Sequence, residues 1–262
     1  MKPPHACYYL ENQRRPLRGC NAPTLSAALP QLTKSGVGLV DGVVDPQLVS
    51  EVKATSAYQS MPTRVVRARE RPPTAWRQSA FGRFHQREEA FEDKGDLKVI
   101  ERVERAFWPL VVAFFEEDDD GAQGFVRSEC QIMTAVPRCA SQKWHSDNRS
   151  RGLTIIVPLS EFTVGNGATQ LLVGSHNKSW PLVAQQGAQV VEAPTGSIVA
   201  FDSRTYHRGL GNGKKEARPA LIFCYDRPDS PPPGCDFLES RAHACLAAVL
   251  NIASAAWISV SS

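Results

Sequence analysis

Paired cysteines of the kind that bind zinc or build a disulfide framework are absent from this chain. Its seven cysteines are an odd number, and no two of them are spaced C-x-x-C. A zinc ribbon needs closely paired thiols, and a small secreted fold needs an even set of bridged cysteines. We therefore expect reduced thiols in an intracellular, cytoplasmic protein.

The chain also lacks a strong excess of charge and a secretory signal. Thirty Lys and Arg residues against 27 Asp and Glu residues give a formal charge of +3. This charge is too small for the field of a dedicated nucleic-acid binder. Residues 1–15 contain charged and polar residues where a secretory signal has an unbroken apolar stretch. We expect neither a nucleic-acid partner nor secretion.

A membrane span is not favoured by the C-terminal sequence. Residues 244–262 carry no charged side chain and place five apolar residues on one helical face, namely Leu246, Val249, Leu250, Ala253 and Trp257. A span needs about 20 strongly apolar residues, whereas this stretch is rich in alanine and serine. The pattern predicts a C-terminal helix that packs on the domain or binds a partner.

Length and composition predict one domain. The hydrophobic content of 42% in 262 residues supports a single sizeable core. We divide the domain into an irregular, proline-rich extension (1–35), a strand and helical scaffold with a lid (36–125), a catalytic core (126–228), and a linker with the C-terminal helix (229–262). Nothing in the sequence sets an oligomeric state.

The scaffold is expected to contain a strand and two helices. Gly36–Val44 is typical of a strand, and Asp45 followed by Pro46 is typical of a capped helix start. Leu97–Phe115 places its apolar residues on one helical face, where Pro109 is expected to kink or split the helix.

Seven arginines lie between residues 64 and 87, together with three aromatic residues and one acid. The composition favours a solvated loop. The alternative is a cationic lid, which with the loop around Arg149–Arg151 would select a small anionic substrate.

After residue 125 the chain consists of short apolar or β-branched runs separated by glycine, proline and asparagine. These runs are Gln131–Val136, Leu153–Leu159, Thr169–Val173, Gln189–Glu192, Ser197–Phe201 and Ala220–Tyr225. The pattern is typical of an antiparallel sandwich or barrel. We predict a mainly β fold with flanking helices, namely a cupin-like jelly roll (double-stranded β-helix).

The segment Trp144-His145-Ser146-Asp147 is the strongest chemical signal. Side chains at positions i and i+2 of a strand point to the same face, so His145 and Asp147 can bind one cation together. His207 follows 62 positions later, where rolled strands can converge. Two histidines and one carboxylate form the facial triad of non-haem iron(II) oxygenases.

Arg218 follows His207 by eleven positions across a glycine-rich connection. We expect hairpin pairing to bring its guanidinium back beside the metal. There it could hold the distal carboxylate of a keto acid in bidentate fashion.

The motifs together resemble the phytanoyl-CoA dioxygenase family of 2-oxoglutarate oxygenases. The matching segments are Trp144–Asp147, Gly165–His176 and Gly196–Asp202, followed by His207, Asn212 and Arg218. The resemblance spans roughly residues 35–228.

The resemblance also assigns roles to these residues. It implies that His145, Asp147 and His207 bind Fe(II), that Arg218 holds 2-oxoglutarate, and that Thr154 adds a polar contact to this co-substrate. With dioxygen, such an enzyme oxidises a small-molecule substrate and releases succinate and CO₂. Halogenating relatives have a small residue at the position of Asp147, so hydroxylation or a related oxidation is favoured.

Two other classes remain open from the residues themselves. One is a non-catalytic jelly roll that binds metal as a regulatory module, and the other is a cupin-like metalloenzyme that does not use 2-oxoglutarate. The histidines outside the triad, which are His5, His85, His176 and His243, are interpreted as structural or surface residues.

Overall fold

The computed structural model describes residues 15–17, 21–59, 86–90, 94–117, 124–142, 144–178 and 187–232. The strands in this part of the chain are β1 (Arg15–Pro16), β2 (Val37–Val40), β3 (Gln86–Ala90), β4 (Val126–Ala135), β5 (Gly152–Pro158), β6 (Thr169–Leu171), β7 (Gln189–Val190), β8 (Ile198–Asp202), β9 (His207–Gly209) and β10 (Arg218–Asp226). The helices are α1 (Leu25–Ser35), α2 (Pro46–Lys53), α3 (Ser56–Gln59) and α4 (Lys94–Glu116).

The strands form two sheets. The larger has six strands in the order β2-β8-β5-β10-β4-β3, and the smaller has four in the order β1-β7-β6-β9. All pairs are antiparallel except the short parallel pair of β1 and β7. Apart from the pairs β3–β4 and β6–β7, neighbouring strands are not consecutive in the chain, as is typical of a rolled-up sheet. The predicted class, a mainly β jelly roll with flanking helices, is confirmed.

The larger sheet separates two hydrophobic clusters. Because successive side chains of a strand point to opposite faces, Ile155 packs in one cluster and Ile156 in the other. The outer face is covered by α1, α2 and α4, while the inner face meets the smaller sheet. The inner face is the one that positions the candidate site.

Helix α1 corrects the prediction that residues 1–35 are irregular. Thr24 caps its start, since its hydroxyl oxygen accepts from the backbone N–H of Ala27 at 3.3 Å. Ala28 and Leu32 are buried on one side of the helix. The prediction failed because Pro30 lies inside the helix, and an interior proline normally argues against one.

Helices α2 and α4 lie where the sequence placed them. The carboxylate of Asp45 accepts from the backbone N–H of Gln47 at 2.7 Å, as expected of an N-cap before Pro46. Helix α4 runs unbroken through Pro109, so the predicted split is wrong. Pro109 and Arg105 are both exposed, so the carbonyl that proline leaves without a donor faces solvent.

None of the helices in the described ranges is long and apolar enough to cross a membrane. The predicted C-terminal helix at 244–262 lies outside the described residues. So does the arginine-rich segment between 64 and 87, except for Gln86 and Arg87, which open β3.

Candidate metal centre

His145, Asp147 and His207 converge on one point between the two sheets. Their ligand atoms all lie within 4.8 Å of one another. Asp147 Oδ1 is 3.5 Å from His207 Nε2 and 3.9 Å from His145 Nε2. Both imidazoles are buried, and 13% of the Asp147 side chain is exposed. The three side chains predicted from the sequence therefore form one cluster.

The backbone fixes the two histidines opposite each other. The N–H of His145 donates to the carbonyl of His207 at 3.1 Å, and the N–H of His207 donates to that of His145 at 2.8 Å. His145 forms this isolated bridge and does not lie in a regular strand. The N–H of Asp147 donates to the Ser203 carbonyl at 2.9 Å. The sequence argument assumed a strand, but loop backbone bonds achieve the same convergence.

The tautomer of His207 follows from its neighbour. Its Nδ1 lies 3.0 Å from the carbonyl oxygen of Thr205. A carbonyl can only accept, so Nδ1 carries a proton, and in the neutral imidazole the lone pair lies on Nε2, the nitrogen nearer Asp147. This is the form in which a neutral imidazole binds a metal ion.

A glycine contact supports the loop that carries His207. Gly36 follows α1 in the left-handed region (φ 74°), and its carbonyl accepts from the Thr205 hydroxyl at 3.2 Å. A Cβ at Gly36 would lie 2.4 Å from Nδ1 of His176. Burial lowers the pKa of His176, so this imidazole is neutral. His176 packs against this junction and not in the metal cluster, in agreement with the structural role predicted for it.

Arg218 is a buried cation that lines the same cavity as the three ligands. Its guanidinium lies over the ring of Phe162, with Cζ 4.5 Å from the ring centroid. Its Nε has no hydrogen-bond partner, and no acidic side chain among the described residues forms an ion pair with it. Burial lowers the pKa of Arg218 to about 10, which leaves it charged at neutral pH.

Arg218 reaches the cavity by a route that the sequence analysis did not foresee. Strand β9 pairs with β6 in the smaller sheet, whereas β10 pairs with β4 and β5 in the larger one. The predicted hairpin between His207 and Arg218 is therefore wrong. The connection crosses from one sheet to the other. Asn212 anchors it, because its side-chain amide donates a hydrogen bond to the Ala135 carbonyl at 2.8 Å.

Thr154 has a different partner from the one implied by the family resemblance. Its hydroxyl donates to Oδ2 of Asp147 at 2.8 Å. A threonine hydroxyl has one proton to donate, so that proton is committed to the metal-binding carboxylate. The polar contact between Thr154 and the co-substrate that the family resemblance implies stays a prediction, and the structure adds this contact with Asp147.

A sequence model described as phytanoyl-CoA dioxygenase matches residues 33–220, which include the three metal-binding candidates and Arg218. The chain belongs to the phytanoyl-CoA dioxygenase family.

Solved structures share the fold of this phytanoyl-CoA dioxygenase family member. The crystal structure of AviO1 from Streptomyces viridochromogenes Tue57 is 19% identical, with a TM-score of 0.60, over 80% of this chain and 98% of AviO1. SnoN, a non-haem α-ketoglutarate-dependent epimerase from nogalamycin biosynthesis, is 18% identical, with a TM-score of 0.61, over 82% of this chain and 88% of SnoN. SnoN in complex with Fe³⁺, α-ketoglutarate and nogalamycin RO gives 16% identity and a TM-score of 0.60, over 81% and 87%. These likenesses establish the jelly-roll fold.

The residues fit the metal and co-substrate of the phytanoyl-CoA dioxygenase family. Two imidazoles and one carboxylate on one side of an ion are the donor set of non-haem iron(II) oxygenases and leave the other side open. The three side chains line a cavity of about 450 Å³, the part open to solvent included. At the cavity wall lies the guanidinium of Arg218, which forms no ion pair within the part of the chain that the structure describes. An anionic ligand suits this position, because an uncompensated buried charge is costly.

Three residues that shape this site were not found from the sequence. Phe162 lies beneath Arg218, Ser203 accepts from the Asp147 backbone, and Gln142 accepts from Gly209 N–H at 2.6 Å. Phe162 and Gln142 lie outside the predicted strands and carry no periodic signal. Ser203 directly follows the matched segment Gly196–Asp202, which was the one available indication.

Proposed function

We propose that this protein is an iron(II)- and 2-oxoglutarate-dependent oxygenase that oxidises a small organic molecule and releases succinate and CO₂. The proposal depends above all on Arg218, a buried guanidinium in the cavity of the His-Asp-His cluster that forms no ion pair with any described residue. A metal site alone would suit many enzymes. A metal site with a nearby buried cation is suited to a chelating dicarboxylate.

In this proposal His145, Asp147 and His207 hold the iron through Nε2, Oδ1 and Nε2. Bound iron supplies the activation of dioxygen that couples decarboxylation of the keto acid to oxidation of the substrate. The protein's contribution is to place two imidazoles and one carboxylate within 4.8 Å of one another, and these side chains would supply the donor set of non-haem iron(II) oxygenases. The Thr205 carbonyl keeps the His207 lone pair directed at the metal position.

Arg218 binds the distal carboxylate of 2-oxoglutarate, and Phe162 supports the guanidinium from below. Cation–π contact with Phe162 stabilises the charge without neutralising it. Apolar side chains of Met133, Ile156 and Ile222 line the same cavity. They exclude water, which strengthens the attraction between the guanidinium and a carboxylate.

The proposed outcome of the reaction is hydroxylation or a related oxidation. Asp147 is present in the cluster, so the position that a chloride ion takes in halogenating relatives is occupied by a carboxylate. SnoN is described as an epimerase, so epimerisation is a second reaction that this fold supports. Identification of the product formed from the substrate distinguishes these two reactions.

The test begins with purified protein stripped of metal under anaerobic conditions. We expect Fe(II) and 2-oxoglutarate together to produce a weak visible charge-transfer band, and air to produce succinate once a substrate is found in a screen. Arg218→Met is the matched control, because it keeps a long side chain and removes the cation. A metal-loaded protein with no such band and no succinate would contradict the proposal. Catalysis that is indifferent to 2-oxoglutarate would favour a cupin-like metalloenzyme.

A further inference from the structure

Two hydroxyl groups, one after the other in space, extend from the carboxylate of Asp147. The Thr154 hydroxyl is 2.8 Å from Asp147 Oδ2, and the Ser203 hydroxyl is 3.3 Å from that of Thr154. Thr154 and Ser203 are fully buried, with exposed fractions of 1% and 0%. These groups are shielded from water, so their hydrogen bonds are set by one another and by the carboxylate.

The direction of the hydrogen bonds follows from proton counting. A metal-binding carboxylate is ionised and only accepts. Thr154 has one proton, and it goes to Asp147 in preference to the Cys224 sulfur 3.8 Å away, which is a weak acceptor. Ser203 must then donate to Thr154. The chain of donation therefore runs from Ser203 to Thr154 to Asp147 Oδ2.

The two oxygens of Asp147 have different surroundings. Oδ1 is the atom 3.5 and 3.9 Å from the two histidine Nε2 atoms. Oδ2 accepts from Thr154 on the far side of the carboxyl group. If both oxygens bound the metal, the carboxylate would fill one of the positions required by the keto acid and dioxygen.

We propose that Thr154 is a positioning residue whose hydroxyl, supported by Ser203, holds Asp147 as a one-oxygen metal ligand. This inference rests on the metal site of the proposed function and adds a role for Thr154 that differs from co-substrate binding. Outer-shell partners of metal ligands typically contribute about tenfold to a hundredfold to metal affinity. The same range is expected for Thr154.

Space around Ser203 and Thr154 is provided by Gly152. A Cβ at Gly152 would lie 2.8 Å from the Ser203 hydroxyl and 2.5 Å from Oδ1 of Asp226. The start of β5 must therefore be a glycine for Ser203 to approach Thr154. This close approach fits a hydroxyl chain that is built into the fold.

The experiment is an anaerobic titration of the metal-free protein with Co(II), whose visible absorption reports coordination number. We expect Thr154→Val to weaken Co(II) binding about tenfold to a hundredfold and to change the spectrum, while Thr154→Ser stays close to the unchanged protein. Ser203→Ala is expected to have a smaller effect in the same direction. Thr55→Val is the matched control, because Thr55 is also a buried threonine that donates to a carbonyl (of Val52, 2.6 Å) but lies in the α2–α3 region.

Unchanged affinity and spectrum in Thr154→Val would overturn the inference, and so would a Thr154→Ser variant as weak as the valine variant. If Thr154→Val does not fold, as judged by circular dichroism, the same outcomes are read from Ser203→Ala and Thr154→Ser. If Thr154→Val weakens Co(II) binding as expected but the protein forms no succinate, the proposed function alone is refuted. Succinate formation with an indifferent Thr154→Val would refute this inference alone.

Discussion

The two faces of the six-stranded sheet are equally buried but chemically different. On β5, the outward residues Leu153, Ile155 and Val157 pack only against apolar side chains beneath α4. The inward residues Thr154 and Ile156 line a cavity that contains ionisable groups. Alternate residues of the same strand thus belong to a closed core on one side and to a site on the other.

The difference shows that depth of burial does not separate structural residues from functional ones. What separates them is whether polar groups find partners within the protein. On the outer side Tyr225 donates to Glu104 at 2.7 Å, and Glu104 also accepts from Arg127 at 2.6 Å. On the inner side Arg218 forms no ion pair with the described acidic residues, and three candidate metal-ligand atoms lie within 4.8 Å of one another. Unbalanced charge at full burial is a feature of a site that awaits a ligand.

The largest effect is expected from the metal ligands of the inner face. Asp147→Ala should reduce iron-dependent turnover to background while the fold remains, because the backbone bonds of this loop do not involve the side chain. Succinate release and bound iron measure the loss. Ser146→Ala, at the intervening position, is the control. If the Asp147→Ala variant keeps its turnover, the cluster on the inner face is not the catalytic site.

Arg218→Met should give the next largest effect. Removing one partner of a buried ion pair costs about 3 to 5 kcal/mol, so 2-oxoglutarate should bind roughly a hundredfold to several thousandfold more weakly. The free energy of unfolding without 2-oxoglutarate should not fall, because this guanidinium has no ion pair to lose. Calorimetric titration and denaturant unfolding measure both quantities. If Arg218→Met is less stable but binds 2-oxoglutarate with unchanged affinity, Arg218 is a structural residue and not a ligand-binding one.

Two adjacent isoleucines sharpen the contrast at smaller magnitude. Ile155→Val on the outer face should lower the free energy of unfolding by about 0.5 to 1.5 kcal/mol and leave 2-oxoglutarate affinity unchanged. Ile156→Val on the inner face removes a methylene that lines the cavity, so it should alter 2-oxoglutarate affinity with a smaller loss of stability. Equal behaviour of the two variants would show that the faces are not functionally distinct.

The smallest effect is expected from pH. The pKa of Arg218 is lowered to about 10 by burial, and a bound carboxylate should raise it again. Below pH 10 the Arg218 guanidinium is charged both in the free protein and in the protein with bound 2-oxoglutarate. Arg218 therefore adds no pH dependence to 2-oxoglutarate affinity between pH 7 and 9. Above the pKa of the free protein, binding requires proton uptake and should weaken by up to about tenfold per pH unit. The Arg218→Met variant should lack this alkaline limb.

The sequence predicted elements with strong patterns better than it predicted connections between them. The buried face of α4 and the capped start of α2 follow from local spacing, and Pro30 concealed α1 because local rules exclude an interior proline. The three candidate metal ligands were found because residue types and order are specific. The route to Arg218 was wrong because eleven residues can close a hairpin or cross between sheets, and only packing decides which.

Partners in loops were beyond the reach of periodicity. The contacts of Asp147 with Ser203 and Thr154 join residues 56 and seven positions apart, and no local rule specifies them. Thr154 was singled out, but its role was taken from a family resemblance that does not say which acceptor its proton finds.

The paired backbone bonds between His145 and His207 affect how the metal is exchanged. Closing a loop of 62 residues costs conformational entropy, by an amount that grows slowly with length. Here backbone hydrogen bonds and the packing of the surrounding sheets offset that entropy loss during folding, so no bound ion is needed to close the loop. A chelator should therefore empty the site reversibly without unfolding the chain, and the resident ion is then chosen by its concentration in the surroundings and by its affinity.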